Sequence, residues 1–484
     1  MSYDIVIRGG TVVTAGDTFR ADVGIRGETI AAIGLDLDGE RVIDASGRLV
    51  LPGGIDSHCH VEQLEGDGSV HEESFATAAR SAFAGGTTTL IPFAPQFKGE
   101  AIAGHAGDYA ARAARSPIDY ALHQIITDPT EAVLGQELPS IIAGGVRSLK
   151  MFLTYDPFHV TDREYLEVLS AAKRLGATVC VHCENYEAIR WRSEALLRAG
   201  LSGPASHALS RPKVVEREAT HRAIALAELV DQPIHIFHVS CAEVAEEIAR
   251  AQARGVKVTG ETCPQYLVLT AAEMARPGRE GAKFMCSPSP REAGDAEGLW
   301  AAIRAGTLDI ISSDHCGYSY EGPSGKAING TEADFTRIPN GVPGLAARMA
   351  ITFSEGVAKG RITASAFVAL TATTPAKRFG LYGRKGSIAP GFDADLVIWD
   401  AERAVTLTNA LMQHAIDYTP YEGLTVTGWP VMTIARGAVV MEEGRVSAEA
   451  GQGRFLAALL SPDARPRGVV PGGFDAALEF VRAG

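Results

Sequence analysis

The chain has 484 residues, longer than a single hydrophobic core usually grows, so a large domain plus a smaller one is expected. Lys and Arg number 45 against 58 Asp and Glu, and the net charge of −13 excludes nucleic acid or an anionic membrane as the expected partner and favours a small neutral substrate. The opening MSYDIVIRGG carries charges where a signal peptide needs an apolar run, no stretch is apolar enough to span a membrane, and the seven cysteines lack framework spacing, so a cytoplasmic protein with reduced thiols is expected.

From residue 3 to about residue 53, short alternating runs such as DIVIRGGTVV and ADVGIRGETIAAIG, broken by glycine, predict small antiparallel strands. The glycine-bounded run RLVLPGGI then opens a series of apolar, β-rich segments. They are TTTLIPF (87–93), YALHQIIT (120–127), VRSLKMFLTY (146–155), ATVCVHCE (177–184), IHIFHVS (234–240), VKVTGETC (256–263) and LDIISSD (308–314). Helix-like runs follow most of them, for example DREYLEVLSAAKRLG (162–176) and AEVAEEIARAQARG (242–255). About eight strand–helix alternations predict an α/β fold, a (β/α)8 TIM-like barrel over residues 54–374. Strand texture returns in GSIAPGFDADLVIWD (386–400) and VMTIARGAVVMEEGRV (431–446), so residues 1–53 and 375–460 are expected to form a small β-sandwich domain together. Residues 461–484, interrupted by proline, read as an extended tail available for oligomerisation.

Asp56-Ser-His58-Cys-His60 follows RLVLPGGI, where the first barrel strand is expected. Side chains two apart on a strand share a face, so His58 and His60 point one way and Cys59 the other, a geometry that suits two imidazoles on one metal. Alone, an HxH pair is a weak signal. Lys150 sits inside an apolar strand run, where it either snorkels to the rim or, carboxylated by carbon dioxide, becomes an anionic carbamate able to bridge two cations. His182, His238 and Asp314 each terminate a further apolar run, on the face where barrel active sites are built. Four histidines, a lysine and an aspartate on five strand ends together predict a metal site.

Other candidates receive plainer readings. His235, three residues before His238, is expected to be packed or hydrogen-bonded; His123 either lines the barrel or satisfies a core hydrogen bond; His315 could orient a neighbour of the site. His71, His105, His159, His207, His221 and His414 fall in helices or loops, where solvent exposure is the default. GPSGKA (322–327) superficially looks like a phosphate loop, but Tyr320 stands where its first glycine is needed and Ala327 where Ser or Thr should follow Lys326, so it is read as a turn. Cys180 and Cys183 have redox spacing inside a strand and are read as packing residues.

Taken in order, PGGIDSHCH (52–60), GGTTTLIPFA (85–94), SLKMFLTY (148–155), VHCEN (181–185), IFHVS (236–240), ETCPQYL (261–267), CSP (286–288), SSDHC (312–316), IPNGVPG (338–344) and DYTPYEG (417–423) resemble dihydropyrimidinases and hydantoinases, cyclic amidohydrolases, over nearly the whole chain. The resemblance implies two zinc ions, one held by His58 and His60 with Asp314, the other by His182 and His238, bridged by carboxylated Lys150 and a hydroxide. It implies that Asp314 shuttles the proton, that Tyr155 stabilises the oxyanion, and that backbone groups at Ser287 and Asn340 hold the ring amide. The implied reaction is hydrolytic opening of a dihydropyrimidine or 5-substituted hydantoin to an N-carbamoyl amino acid, in a homotetramer. Plainer roles for Tyr155, Ser287 and Asn340 are packing under a loop and turn chemistry. Rival readings are an allantoinase or cyclic imidase on the same ligands, and a non-catalytic interaction protein on the same scaffold, although the latter lack metal ligands and this chain keeps all six. The sequence departs from the family at Glu62-Gln63-Leu64, where relatives have an apolar, Met- and Phe-containing stretch, at Ser289 for a proline, and at Ala346 for an acidic residue.

Overall fold

The computed structural model describes residues 2–64, 70–321, 325–449, 451–478 and 480–481. Eight parallel strands form its centre: β1 (Gly54–His60), β2 (Thr87–Ala94), β3 (His123–Ile125), β4 (Ser148–Phe152), β5 (Thr178–His182), β6 (Ile234–Ile236), β7 (Val258–Thr262) and β8 (Ile310–Ile311). Each pairs with the next, and just beyond β8 His315 and Cys316 pair with Cys59 and His60 of β1, which closes the ring. The expected (β/α)8 barrel is therefore the observed one. Register brings site residues level with one another: Phe152 of β4 lies opposite His182 of β5, and Lys150 opposite Cys180.

The connecting helices form where capping and periodicity agree. Helix Asp162–Leu175 starts with Thr161 accepting from Glu164 N while Glu164 reaches back to Thr161 N, and stops at Gly176 in the left-handed conformation, φ 69°. Its inner face, Tyr165, Val168, Leu169 and Ala172, packs with Leu149 of β4 and Val179 of β5. Burying each large apolar side chain there contributes about 1.5–3 kcal/mol. Several strand runs are shorter than the sequence suggests, LDIISSD giving only Ile310–Ile311. YALHQIIT divides into Asp119–Tyr120 and β3, and IHIFHVS gives only the three residues of β6, because His238 adopts φ 41° and leaves the ladder.

Both chain ends contribute to the remaining large sheets. A seven-stranded sheet joins Thr11–Val13, Thr18–Arg20 and Leu49–Pro52 on one side to Leu396–Thr406, Thr425–Ala435, Ala438–Glu442 and Arg445–Val446 on the other. A four-stranded sheet, Tyr3–Arg8, Asp22–Arg26, Thr29–Gly34 and Gly39–Asp44, shares with it a core that includes Ile7, Val23, Val50, Leu396 and Ile434. Beyond residue 460 the chain runs over the barrel: Asp231 accepts from the amides of Arg467, Gly468 and Val469, and Asp475 takes a 2.8 Å ion pair from buried Lys173. No helix among the described residues is long and apolar enough to cross a membrane.

Candidate metal centre

His58 and His60 share the inner face of β1, while Cys59 between them is buried among Phe75, Phe83 and Leu90. Asp56, on the same strand, accepts from Ser313 N at 3.0 Å and so ties β1 to the segment that presents Asp314. Asp314 Oδ1 lies 3.1 Å from His58 Nε2 and 3.7 Å from His60 Nε2. From across the barrel come His238 and His182, with ring centres 4.3 Å apart, and His238 is 5.2 Å from His58. One ligand atom from each of His58, His238 and Asp314 falls within 4.8 Å of the others. Lys150, 1 % exposed, points its ammonium among three aromatic rings, 4.3 Å from the Phe237 centre, 4.6 Å from Phe152 and 5.3 Å from Phe93. The structure thus brings together all six residues singled out on strand ends.

The nitrogens that face away are occupied. His58 Nδ1 is 2.6 Å from Glu261 Oε1, His60 Nδ1 is 2.7 Å from Gln63 Oε1, and His182 Nε2 is 2.8 Å from Glu184 Oε2. Each oxygen accepts from its imidazole and leaves the other ring nitrogen with a lone pair for the centre. Among the described residues buried His238 Nδ1 has no hydrogen-bond partner, a costly state in a polar cluster that a bound cation would relieve, and His58 Nε2 meets only Asp314 Oδ1. Burial lowers the His58 imidazole but Asp314 beside it raises it above the ordinary range, while the other groups are shifted as ligands should be. Burial alone would raise the Asp314 carboxyl, but the charge of His58 and the contacts of its oxygen with His58 and His60 override it and hold Asp314 far below the usual carboxylate range. Burial, helped by Lys150, keeps His182 and His238 well below the ordinary imidazole range, hence neutral. Burial likewise draws Lys150 down to about 8. These residues fit a metal ion.

A cavity of about 530 Å3 opens onto all six, and Tyr155, Ser287 and Asn340 line it too. Burial pushes the Tyr155 phenol well above its usual value, so its hydroxyl remains a donor at working pH. Arg211 stands 5.4 Å from that ring and donates to Glu184, linking the tyrosine to the His182 contact. Tyr155, His238 and Asp314 all adopt positive φ, 73°, 41° and 47°. Such non-glycine geometry costs on the order of 1–3 kcal/mol each and concentrates at functional sites.

Other histidines divide. His235 and His123 are buried and hydrogen-bonded, to Thr259 at 2.8 Å and to Ser148 and Ser57 at 2.6 and 2.9 Å, so His123 takes the core alternative. His315 Nδ1 accepts from Gly344 N at 3.1 Å. The default of exposure holds only for His221. His71 and His207 are buried, His71 on the cavity wall, and His105, His159 and His414 are half-buried. All seven cysteines are buried and none forms a disulfide; Cys180 and Cys183 pack in separate hydrophobic clusters. Residues 325–327 of GPSGKA do form a turn, and 322–324 lie outside the described residues. Within that turn Lys326 is fully buried, donating to the carbonyls of Met285 and Pro339 beside the cavity. Glu261 and Glu184 carry no role in the strand reading, although an acid inside VKVTGETC was the available signal for the first.

The sequence profile described as the amidohydrolase family matches residues 49–440, and the chain belongs to that family of metal-dependent hydrolases. Within it, the chain is 42% identical to the D-hydantoinase of Ralstonia pickettii over 94% of this chain and 98% of that one. It is 43% identical to the D-hydantoinase of Geobacillus stearothermophilus, covering 93% and 96%. The crystal structure of dihydropyrimidinase from Brevibacillus agri superposes with a TM-score of 0.91 at 40% identity, covering 96% of this chain and 99% of that one.

Proposed function

We propose that the protein opens the ring of a cyclic amide, a 5-substituted hydantoin or 5,6-dihydropyrimidine, giving an N-carbamoyl amino acid. The carrying observation is the convergence of lone pairs: outward nitrogens of three imidazoles are tied to oxygens, so the inward ones meet Asp314 and buried Lys150 at one cavity. Two zinc ions would be held there by His58, His60, His182, His238 and Asp314, with Lys150 as the bridging carbamate. When bound, they would polarise the ring carbonyl and lower the pKa of a water molecule, supplying a nucleophile at neutral pH.

The chain's own groups do the rest. Backbone groups at Ser287 and Asn340 hold the ring amide. As the water oxygen bonds to the carbonyl carbon, Tyr155 donates to the developing oxyanion. Asp314 accepts the water proton and returns it to the ring nitrogen as the C–N bond breaks, because an amide nitrogen leaves poorly unless protonated. Gln63, His71 and Tyr318 make one side of the cavity polar, and Phe152 and Phe158 make another side apolar, which favours small or polar ring substituents.

The seven reduced cysteines support a cytoplasmic location. A homotetramer is the proposed assembly, supported by exposed Trp191, Leu209 and Val214 on adjoining helices, and sedimentation tests it. The decisive experiment measures bound metal and hydrolysis of hydantoins, dihydrouracil, allantoin and cyclic imides, before and after chelation. Zinc-dependent turnover of the first two is expected. Preference for allantoin or an imide would reassign the substrate, and metal-independent or absent turnover of all four would overturn the proposal.

A further inference from the structure

We propose that Gln63 is a positioning residue of the metal centre, whose side-chain oxygen fixes the tautomer and aim of His60; this rests on the two-metal reading above. The contact is 2.7 Å and Gln63 is 4 % exposed. An amide oxygen can only accept, so Nδ1 of His60 carries the proton and its Nε2 lone pair faces Asp314 Oδ1 at 3.7 Å. Were Nδ1 left without an acceptor, the neutral ring could place its proton on either nitrogen, and one of the two forms cannot bind a cation.

The backbone is built to deliver this oxygen. Past His60 the chain turns at Glu62, φ 46°, and Gln63 is returned toward the ring three residues before it. Three bonds hold the turn: Glu62 N donates to Glu73 O at 2.7 Å, His71 N to Gln63 O at 2.9 Å, and Arg112 Nη1 to Glu62 O at 2.9 Å. The other two oriented imidazoles rest on carboxylates, His58 on Glu261 and His182 on Glu184. His60 alone among these rests on a neutral amide. A carboxylate raises the basicity of the imidazole it holds more than an amide does, so residue 63 sets the donor strength of His60.

The test uses the full chain and zinc alone, with chelator competition and elemental analysis as readouts independent of turnover. In Gln63→Met, one of the two zinc sites should weaken by roughly 10–100-fold while the other is unchanged, the effect typical of a lost ligand-orienting partner. Gln63→Leu should behave alike if the Met variant folds poorly, and melting of the apo proteins identifies folding loss. Gln63→Glu should bind at least as tightly as wild type. Wild-type zinc affinity in both apolar variants, or equal weakening in Gln63→Glu, would overturn the proposal. A wild-type chain that takes up no zinc would overturn the two-metal reading, and this one with it.

Discussion

Lys150 offers the sharpest test of the proposed centre, because its surroundings suit an amine about to be carboxylated better than a permanent cation. The side chain is fully buried and makes no hydrogen bond or ion pair among the described residues, and burial draws it to about 8. At pH 7.5 roughly a quarter of such amines are unprotonated, against about one in a thousand for an ordinary lysine. The neutral nitrogen bonds to the carbon of carbon dioxide and releases one proton, converting a buried amine into the anion two cations need. Apo protein prepared by chelation in carbon dioxide-free buffer should therefore take up zinc slowly. Added bicarbonate should speed uptake, more so as pH rises toward about 8 and little further above it. Lys150→Ala should lose at least one zinc per chain and nearly all activity, with partial rescue by acetate or propionate. The competing account keeps an ammonium held by Phe93, Phe152 and Phe237, each contact worth about 0.5–2 kcal/mol. Full zinc occupancy in Lys150→Ala, or uptake indifferent to bicarbonate, would refute the carbamate.

Three further outcomes are expected. Asp314→Asn keeps an oxygen ligand but cannot shuttle a proton, so kcat should fall at least roughly a hundredfold with zinc retained; near-normal turnover would sink the role. Burial draws Lys326 down to about 7, below its unfolded value near 10.5, so the unfolded chain binds more protons between those limits and stability should rise with pH across them. Lys326→Met should flatten that rise by about 1–3 kcal/mol between pH 7 and 9.5 in urea titrations, and parallel curves for the two proteins would contradict the assignment. At saturating zinc, Gln63→Met should raise efficiency on an aryl hydantoin relative to dihydrouracil by up to roughly tenfold, while Glu62→Met leaves the ratio alone; the reverse pattern would place specificity on Glu62.

Strand ends made the candidate ligands legible, because alternation and the chemistry of barrel rims are both local rules. His58 and His60 are two residues apart, and Lys150, His182, His238 and Asp314 each interrupt or close an apolar run, so their meeting follows once the runs are read as consecutive strands. Their partners followed no local rule. Glu261 reaches His58 across the barrel, over a sequence separation of 203 residues, and Arg211 comes from between two helices to lie against Tyr155. Lys326 was hidden differently: a lysine in a Gly-rich turn normally faces water, and only the approach of the Met285 and Pro339 carbonyls makes its burial tolerable.

The segment after His60 shows where alternation itself gives out. Continued as a strand, it would aim Glu62 into the site beside His58 and His60 and send Gln63 outward. Instead Glu62 takes φ 46°, its carboxylate accepting from Phe75 N at the start of helix Phe75–Ala84 and from Arg115, while Gln63 swings onto the cavity wall and His60. Nothing in the residue type announces this, since glutamate has no preference for the left-handed region. What stabilises it is tertiary: a helix N-terminus that favours an anion, an arginine, and the Glu73 carbonyl waiting for the Glu62 amide. A single residue with an unfavourable local conformation thereby exchanges the two side chains that a periodic reading would assign, and puts an amide rather than a carboxylate against the metal ligand.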